Sequence, residues 1–370
     1  MTASARAQIN LGAIRKNFQL IKSLEPRART MAVVKGNAYG HGLVRAAETL
    51  SDADSLAVAR LSELKQLRNA GIDMPVVLLG GVVAPGDLAE AADLAATICV
   101  HNNEQVQWLE AFAGPRFDVW LKIDTGMNRL GISTEGTPAA IERLQNCNAV
   151  AALRVMSHFA NADDRNDPMT LQQIERFRHV TADFAGDLSI ANSGGLFGFG
   201  AALNVFASAA DAGRLWIRPG IALYGVSPLS DSSAADLALS PAMTFASRLL
   251  EVKRIQAGDR VGYGGEWEAT QDTILGVVAV GYGDGYSRYM PTGTPVLVNG
   301  REVPVVGNIS MDLTTVDLGP KANDAVGDAA VLWGEGLPVE RIANIAGTAS
   351  YQLVTGLTHR EAPVYIDDDA

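Results

Sequence analysis

The chain has 370 residues, 48% of them apolar, and a net charge of −11, enough for two domains with real cores and a poor match to nucleic acid or an anionic membrane surface as partner. Two cysteines, Cys99 and Cys147, make no disulfide framework, and five histidines include no HxH or HExxH pair, so no metal site is expected. The amino-terminal MTASARAQIN lacks the apolar core of a signal peptide, and no run approaches the roughly 18 apolar residues of a bilayer span, so a cytoplasmic globular protein is expected.

Ala5 to Ile9 reads as a short strand. Asn10 then suits an N-cap, with Leu11, Ile14, Phe18 and Ile21 at helical spacing behind it. Met31 to Gly42, MAVVKGNAYGHG, follows. Its apolar run has the length and composition of a buried parallel strand. Alternation puts Met31, Val33 and Lys35 on one face and Ala32 and Val34 on the other, so Lys35 is expected at a strand's carboxyl end, facing inward. Desolvation lowers the pKa of such an amine and makes it a nucleophile toward aldehydes; an ordinary strand-end lysine reaching water is the plain alternative.

Strand-like runs continue at Ser55–Ala59, Pro75–Leu79, Ala96–Val100, Asp118–Ile123, Ala152–Ser157, Leu188–Ala191 and Leu215–Ile217. Helix-like stretches such as Leu61–Ala70, Asn103–Phe112 and Leu171–Phe184 lie between them. About eight strand–helix units predict an α/β fold, an N-terminal (β/α)8 TIM-like barrel. A doubly wound sheet would need a GxGxxG turn after an early strand, and none is present. The Ser-, Asp-, Ala- and Pro-bearing stretch Ser227 to Ala238 marks a change of character. Turn signals such as Asn299-Gly300 and Gly319-Pro320 then predominate, with one helix candidate at Val339–Ile345 entered through Pro338. The expected division is a barrel over 10–233 and a mostly β domain over 234–370, which the 1–9 strand joins.

Function in such barrels collects where the strands end at the carboxyl side. Trp120, Lys122 and Asp124 are expected to face inward while Val119, Leu121 and Ile123 face the helices, and DTGMNRLG then brings Arg129. The next runs end on His158 in SHFANAD and on Asn192-Ser193-Gly194-Gly195. The last places Arg214, Trp216 and Arg218 on one face before Pro219-Gly220-Ile221. Singly, an inward arginine is usually structural, a lone histidine a satisfied core residue and Ser-Gly-Gly a loop. Their convergence on one rim is harder to explain that way. Backbone N–H groups at Ser193-Gly194 and Gly220-Ile221 suit a phosphate; with a strand-end lysine and an arginine they suggest pyridoxal phosphate held as a Schiff base.

At these residues the chain resembles the alanine racemase family. AVVKGNAYGHG is similar to that family's cofactor-lysine signature, with Gly36 where alanine is commoner. KIDTGMNRLG, SHFANAD, ANSGG and IRPGIALYG follow in the family's order, then VGYGGEW, GYGDGYSR, GNISMD and SYQLVTGL, so the resemblance covers nearly the whole chain. It implies Lys35 as Schiff-base lysine and cofactor contacts from Tyr39, Asn192, Ser193, Gly220, Ile221 and Tyr351. Arg218 would bond the pyridine nitrogen with His158 beside it, and Tyr263 would be a second base contributed by the other subunit of a homodimer. Arg129 and the Met311 N–H would bind the substrate carboxylate near Asp312, and Lys122, carbamylated in many members, would hold Arg129. Asn308 stands where many members have arginine, which puts any entrance-corridor role there in doubt.

The implied activity interconverts L- and D-alanine through a pyridoxal-phosphate aldimine by a two-base mechanism, supplying D-alanine for peptidoglycan. A serine or broad-specificity racemase is the nearest alternative. Crowding by Tyr351 and Tyr263 favours alanine. A fold-related decarboxylase would set an acid on the pyridine nitrogen, where Arg218 stands; a non-enzymatic cofactor carrier would leave Tyr263 and Met311 without purpose. A free phenol, with pKa about 10, is short of ionisation at neutral pH by about 4 kcal/mol, so a tyrosine base calls for a cationic neighbourhood, which Arg218, Arg129 and His158 are expected to provide by charge and hydrogen bonding.

Overall fold

The computed structural model describes residues 5–358 and 360–368; residues 1–4 and 369–370, at the ends of the expected second domain, and His359 lie outside the described residues. β1 (Arg6–Asn10) opens the chain and leads into the helix Leu11–Leu24. Asn10 caps that helix by accepting the Ala13 N–H at 3.1 Å, and the spaced residues Leu11, Ile14, Phe18 and Ile21 are all buried. The barrel follows as β2 (Arg29–Val33), β3 (Ser55–Val58), β4 (Val76–Leu78), β5 (Ala96–Val100), β6 (Phe117–Asp124), β7 (Val150–Met156), β8 (Leu188–Asn192) and β9 (Leu215–Arg218). These strands pair in parallel in chain order, and β9 returns to β2 to close the ring.

Strand alternation divides the barrel into two cores. Met31, Val33, Ala57, Val77, Cys99, Trp120, Met156 and Trp216 fill the interior, with Trp120 edge-on to Trp216 at 5.9 Å. Ala32, Leu56, Leu78, Val119, Leu121 and Ile217 face outward into the layer under the helices. The interior plug floors the carboxyl mouth with apolar atoms, so polar groups just above it lose water on one side.

Several expectations change. β2 ends at Val33, so Lys35 lies beyond the strand and its direction is not set by pleat alternation. The helix expected to reach Phe184 stops at Val180. Arg214 immediately precedes β9, at the end opposite the mouth, donating to the carbonyls of Ala185 and Gly186, and is not part of the rim.

The rest of the chain builds an antiparallel sheet around the long β10 (Met243–Ile255), with β11 (Thr273–Val278), β12 (Pro295–Val298), β13 (Arg301–Pro304), β14 (Thr314–Asp317), β15 (Ala329–Trp333) and β16 (Val364–Ile366). Register shifts at Phe245/Ala246 and Leu249/Glu251 let β10 bend and pair with β15 and β11. The Asn299-Gly300 turn joins β12 to β13 with both residues at positive φ. β1 pairs antiparallel with β10 and parallel with β16, so the first strand is part of this sheet. The helix Val339–Ala346 forms behind Pro338, and a second one, Ser350–Thr355, which strand-dominated patterning does not suggest, packs toward the barrel mouth. Among the described residues no single helix is long and apolar enough to cross a membrane.

Candidate active site

Beyond β2 the backbone turns left-handed. Gly36, Asn37, Ala38 and Tyr39 have φ of 64°, 55°, 54° and 52°. Ala38 N–H donates to Val34 O at 2.8 Å and Gly40 N–H to Gly36 O at 3.0 Å. Asn37 Oδ1 accepts the Leu43 N–H at 2.9 Å, which fixes the exit. This conformation costs about 1–2 kcal/mol per L-residue, so three consecutive non-glycine residues in it must be held by their surroundings. Gly40, at φ 83°, passes so close to the Ser350–Thr355 helix that a Cβ would come 2.0 Å from Val354 O. That approach brings Tyr351 beside Tyr39, ring centres 6.1 Å apart.

The mouth is cationic and partly dry. Burial lowers the Lys35 pKa, and the Arg129 and Arg218 charges lower it further against a raising influence from Glu63. The Lys122 amine is likewise lowered, first by burial, with Arg218, Arg129 and Lys35 adding to it and Cys99 opposing. Two residues along the strand from Trp120, Lys122 shares the face that points into the barrel. Burial pulls Arg218 down to about 10, so it remains charged at neutral pH. It donates to Ser189 Oγ at 2.6 Å, to Ile190 O at 3.4 Å, to Ser157 O, and to His158 Nδ1 at 3.3 Å. Burial, then Arg218 and the other cations, hold His158 well below the usual histidine range. His158 is therefore neutral near pH 7 and contributes hydrogen bonding, while the charge expected of the group rests on the two arginines. Gln173, fully buried, ties this rim together: it donates to His158 O at 2.9 Å and to Thr125 Oγ1 at 3.2 Å, and accepts the Ala160 N–H.

Beside the lysine turn lies a small polar cradle. Ser193 Oγ accepts the N–H groups of Gly220 at 2.9 Å and Ala222 at 3.4 Å. A Cβ at Gly220 would stand 2.5 Å from the Tyr39 hydroxyl, so glycine there keeps that hydroxyl against the same backbone. Tyr39, Ser193, Gly220, Ile221 and Tyr351 are thereby gathered on one side of the mouth. Asn192 serves differently. Its Oδ1 accepts the Gly195 N–H at 2.9 Å and caps the helix Ser193–Phe199. Asp124, expected to face inward, accepts from Gly126 and Asn128 N–H and shapes the loop before Arg129. Arg129 itself is exposed, with no hydrogen-bond or ion-pair partner among the described residues.

Tyr263, Met311 and Asp312 form a second group, on the β domain. Asn308 Nδ2 donates to Tyr263 O at 3.0 Å and joins the two loops. Tyr263 is 69% and Met311 54% exposed, and Asp312 pairs with Arg360 at 2.7 Å. Among the described residues no hydrogen bond, ion pair or ring contact links this group to Lys35. Sequence reading missed Glu63, Gln173 and Ala222. Glu63 had a signal, since it falls three residues after Arg60 where a helix begins, but that spacing reads only as a cap.

A closed barrel with a desolvated lysine, a buried arginine and an amide-lined cradle at its carboxyl mouth, joined to a β domain, defines a two-domain barrel enzyme built around an amine. The N-terminal domain model of alanine racemase matches residues 9–228 and its C-terminal domain model residues 242–365. The alanine racemase of Aeromonas hydrophila is 48% identical over 365 residues, 98% of this chain and 99% of that relative. The biosynthetic alanine racemase of Escherichia coli is 47% identical over 98% of this chain and 99% of its own length. The crystal structure of biosynthetic alanine racemase from Pseudomonas aeruginosa superposes with a TM-score of 0.93 at 38% identity, covering 99% of this chain and 100% of that one. The chain belongs to the alanine racemase family.

Proposed function

We propose that this protein interconverts L- and D-alanine with pyridoxal phosphate, as a homodimer whose active sites combine the barrel of one subunit with Tyr263 and Met311 of the other. The domains on this reading are the barrel over 10–233 and the β domain from 234 onward with the first strand. The residues at the mouth fit the cofactor. Gly220 leaves room for the Tyr39 hydroxyl where a Cβ would collide, and Ser193 Oγ draws two amides to the same spot. Tyr39, Ser193, Gly220, Ile221 and Tyr351 would hold its phosphate, with Asn192 shaping that side as a cap. Lys35 would hold its carbonyl carbon, and Arg218 would donate to its ring nitrogen with His158 as neighbour.

When bound, pyridoxal phosphate supplies the electron withdrawal that acidifies the Cα–H of an amino acid. The protein's part is to move the proton. Lys35 Nζ, unprotonated more readily because it is buried between arginines, takes or returns the Cα proton on one face. The partner subunit's Tyr263 serves the opposite face through its hydroxyl. Arg129 and the Met311 N–H orient the substrate carboxylate. Arg218 is a fixed cation, held by Ser157, Ser189 and Ile190 through its two terminal nitrogens, and a cation there disfavours a protonated ring nitrogen. Electron withdrawal is then modest, which suits brief proton exchange better than decarboxylation.

The observation that carries this reading is the Lys35 amine, desolvated beside Arg129 and Arg218 at the edge of the Ser193–Gly220 cradle. Supply of D-alanine to peptidoglycan, in the cytoplasm, is the role we assign, supported by the likeness to a relative described as biosynthetic. The test is incubation of purified protein with L-alanine, then with L-serine, and chiral analysis of the products. D-Alanine should appear fast and D-serine slowly. Tyr263→Phe should slow proton abstraction from L-alanine by about 10²-fold or more while leaving cofactor affinity within a few-fold. Equal loss of both properties would contradict the two-base assignment.

A further inference from the structure

Glu63 stands outside the residues assigned above, in the first turn of the helix Leu61–Asn69 that follows β3. Its carboxylate joins the ends of two barrel strands. Oε2 accepts the N–H groups of Ala59 at 2.8 Å and Arg60 at 3.1 Å, closing the turn into its own helix. Oε1 accepts the Gly36 N–H at 2.6 Å. A capping glutamate needs only the first pair. The third contact reaches across to the residue that immediately follows Lys35 and begins the left-handed turn. Charge adds a second relation. Lys35 is faced by Arg129 and Arg218, and shares the mouth with Lys122 and His158. Glu63 is the carboxylate that acts on Lys35 in the opposite sense.

We propose that Glu63 is a positioning residue for the Lys35 amine: by binding the Gly36 N–H it fixes the turn from which Lys35 enters the barrel mouth, and as an anion it offsets the two arginines there. This rests on the reading of Lys35 as the reactive amine. The charge and the hydrogen bond are separable. Glu63→Asp keeps the charge and is one methylene too short to hold all three amides. Glu63→Gln removes the charge and turns a donor toward backbone donors. Arg68→Ala is the control, because Arg68 braces the same helix through the carbonyls of Ile72, Met74 and Leu94, away from the mouth.

The experiment compares holoenzymes by hydrogen exchange over residues 31–43 and by the pH profile of kcat, which reports the substrate complex in which the Lys35 amine is free. Both Glu63 variants should exchange at the lysine turn about tenfold or more faster. Glu63→Gln should also move the acid limb to lower pH by about half a unit or more, since an anion favouring the protonated amine is gone, while Glu63→Asp keeps the limb near that of the parent. Loss of aim should lower kcat/KM by about 10- to 100-fold in either. Arg68→Ala should change neither the exchange nor the limb. Unchanged exchange and limb in Glu63→Gln, or the same changes in Arg68→Ala, would reduce Glu63 to a helix cap. Borohydride reduction with peptide mapping separates the two ways of failing. A label elsewhere than Lys35 overturns the reading of Lys35, and a label at Lys35 with an undisturbed turn overturns the role of Glu63.

Discussion

Two glycines in the lysine turn should respond to the same substitution very differently. Gly36 and Gly40 both have positive φ, 64° and 83°, so alanine at either carries the left-handed penalty. That penalty is about 1–2 kcal/mol, offset by about 0.4–1 kcal/mol because alanine restricts the unfolded chain. Gly36→Ala meets nothing within 4 Å, so its net cost is about 0–1.6 kcal/mol. At Gly40 the added carbon would lie 2.0 Å from Val354 O and 3.4 Å from Thr355 Cα, all backbone, which no rotamer change relieves. Overpacking of that kind adds about 1–3 kcal/mol, for a total of about 1–4.6 kcal/mol. The relief available is movement of the Ser350–Thr355 helix, which would carry Tyr351 away from Tyr39. Gly40→Ala should therefore also weaken pyridoxal phosphate, by about tenfold for each 1.4 kcal/mol of lost contact. Denaturant unfolding and spectrophotometric cofactor titration of the two variants measure both effects. If Gly40→Ala matches Gly36→Ala in midpoint and in cofactor affinity, the close approach of the two segments is not as described.

His158 predicts a pH dependence. Its folded pKa is depressed and its unfolded value is ordinary, about 6.5, so below that pH the unfolded chain binds more protons and stability falls with falling pH, by at most about 1.4 kcal/mol per unit. His158→Gln should flatten this slope in unfolding measurements between about pH 5 and 7, and an unaltered slope would show that the imidazole is charged in the folded protein. Lys122 predicts a modification. A lysine whose proton is made easier to lose by burial beside Arg218 and Arg129 can add carbon dioxide, releasing a proton, and become an anion that pairs with Arg129. Protein equilibrated with 13C-bicarbonate should show a carbamate carbon signal that Lys122→Gln abolishes; a signal persisting in the variant would place the carbamate elsewhere.

What could be read from the sequence followed from local rules. Strands buried on both faces still alternate, so Trp120 could be assigned to the barrel interior and Leu121 to the helix layer from spacing alone. Asn10 could be assigned as a cap because its side chain acts three residues away. The misses need contacts between distant segments. The direction of Lys35 depends on a left-handed turn held by Glu63 and by the approach of Val354, neither near it in sequence. The neutrality of His158 depends on burial and on Arg218 and two lysines from distant segments, and its own neighbours in SHFANAD give no hint of them. Arg214 and Arg218 share a pleat face, yet the strand's length carries one to each end of the barrel, and only Arg218 can act at the mouth.

The charge distribution gives these local facts a common cause. The chain carries a net −11, yet Lys35, Lys122, Arg129 and Arg218 are brought to a single mouth above an apolar plug. Basic groups gathered in that way must give up protons or acquire anions. Arg218 keeps its charge because carbonyl and hydroxyl oxygens replace its water, and the strain falls on its weaker neighbours, whose pKa values drop. Any ligand that brings a phosphate and a carboxylate into this mouth relieves that strain. Binding there should therefore raise the lysine pKa values and stabilise the fold together. The lowered amine and the appetite for anions are two consequences of one arrangement, and a substitution that weakens one should weaken the other.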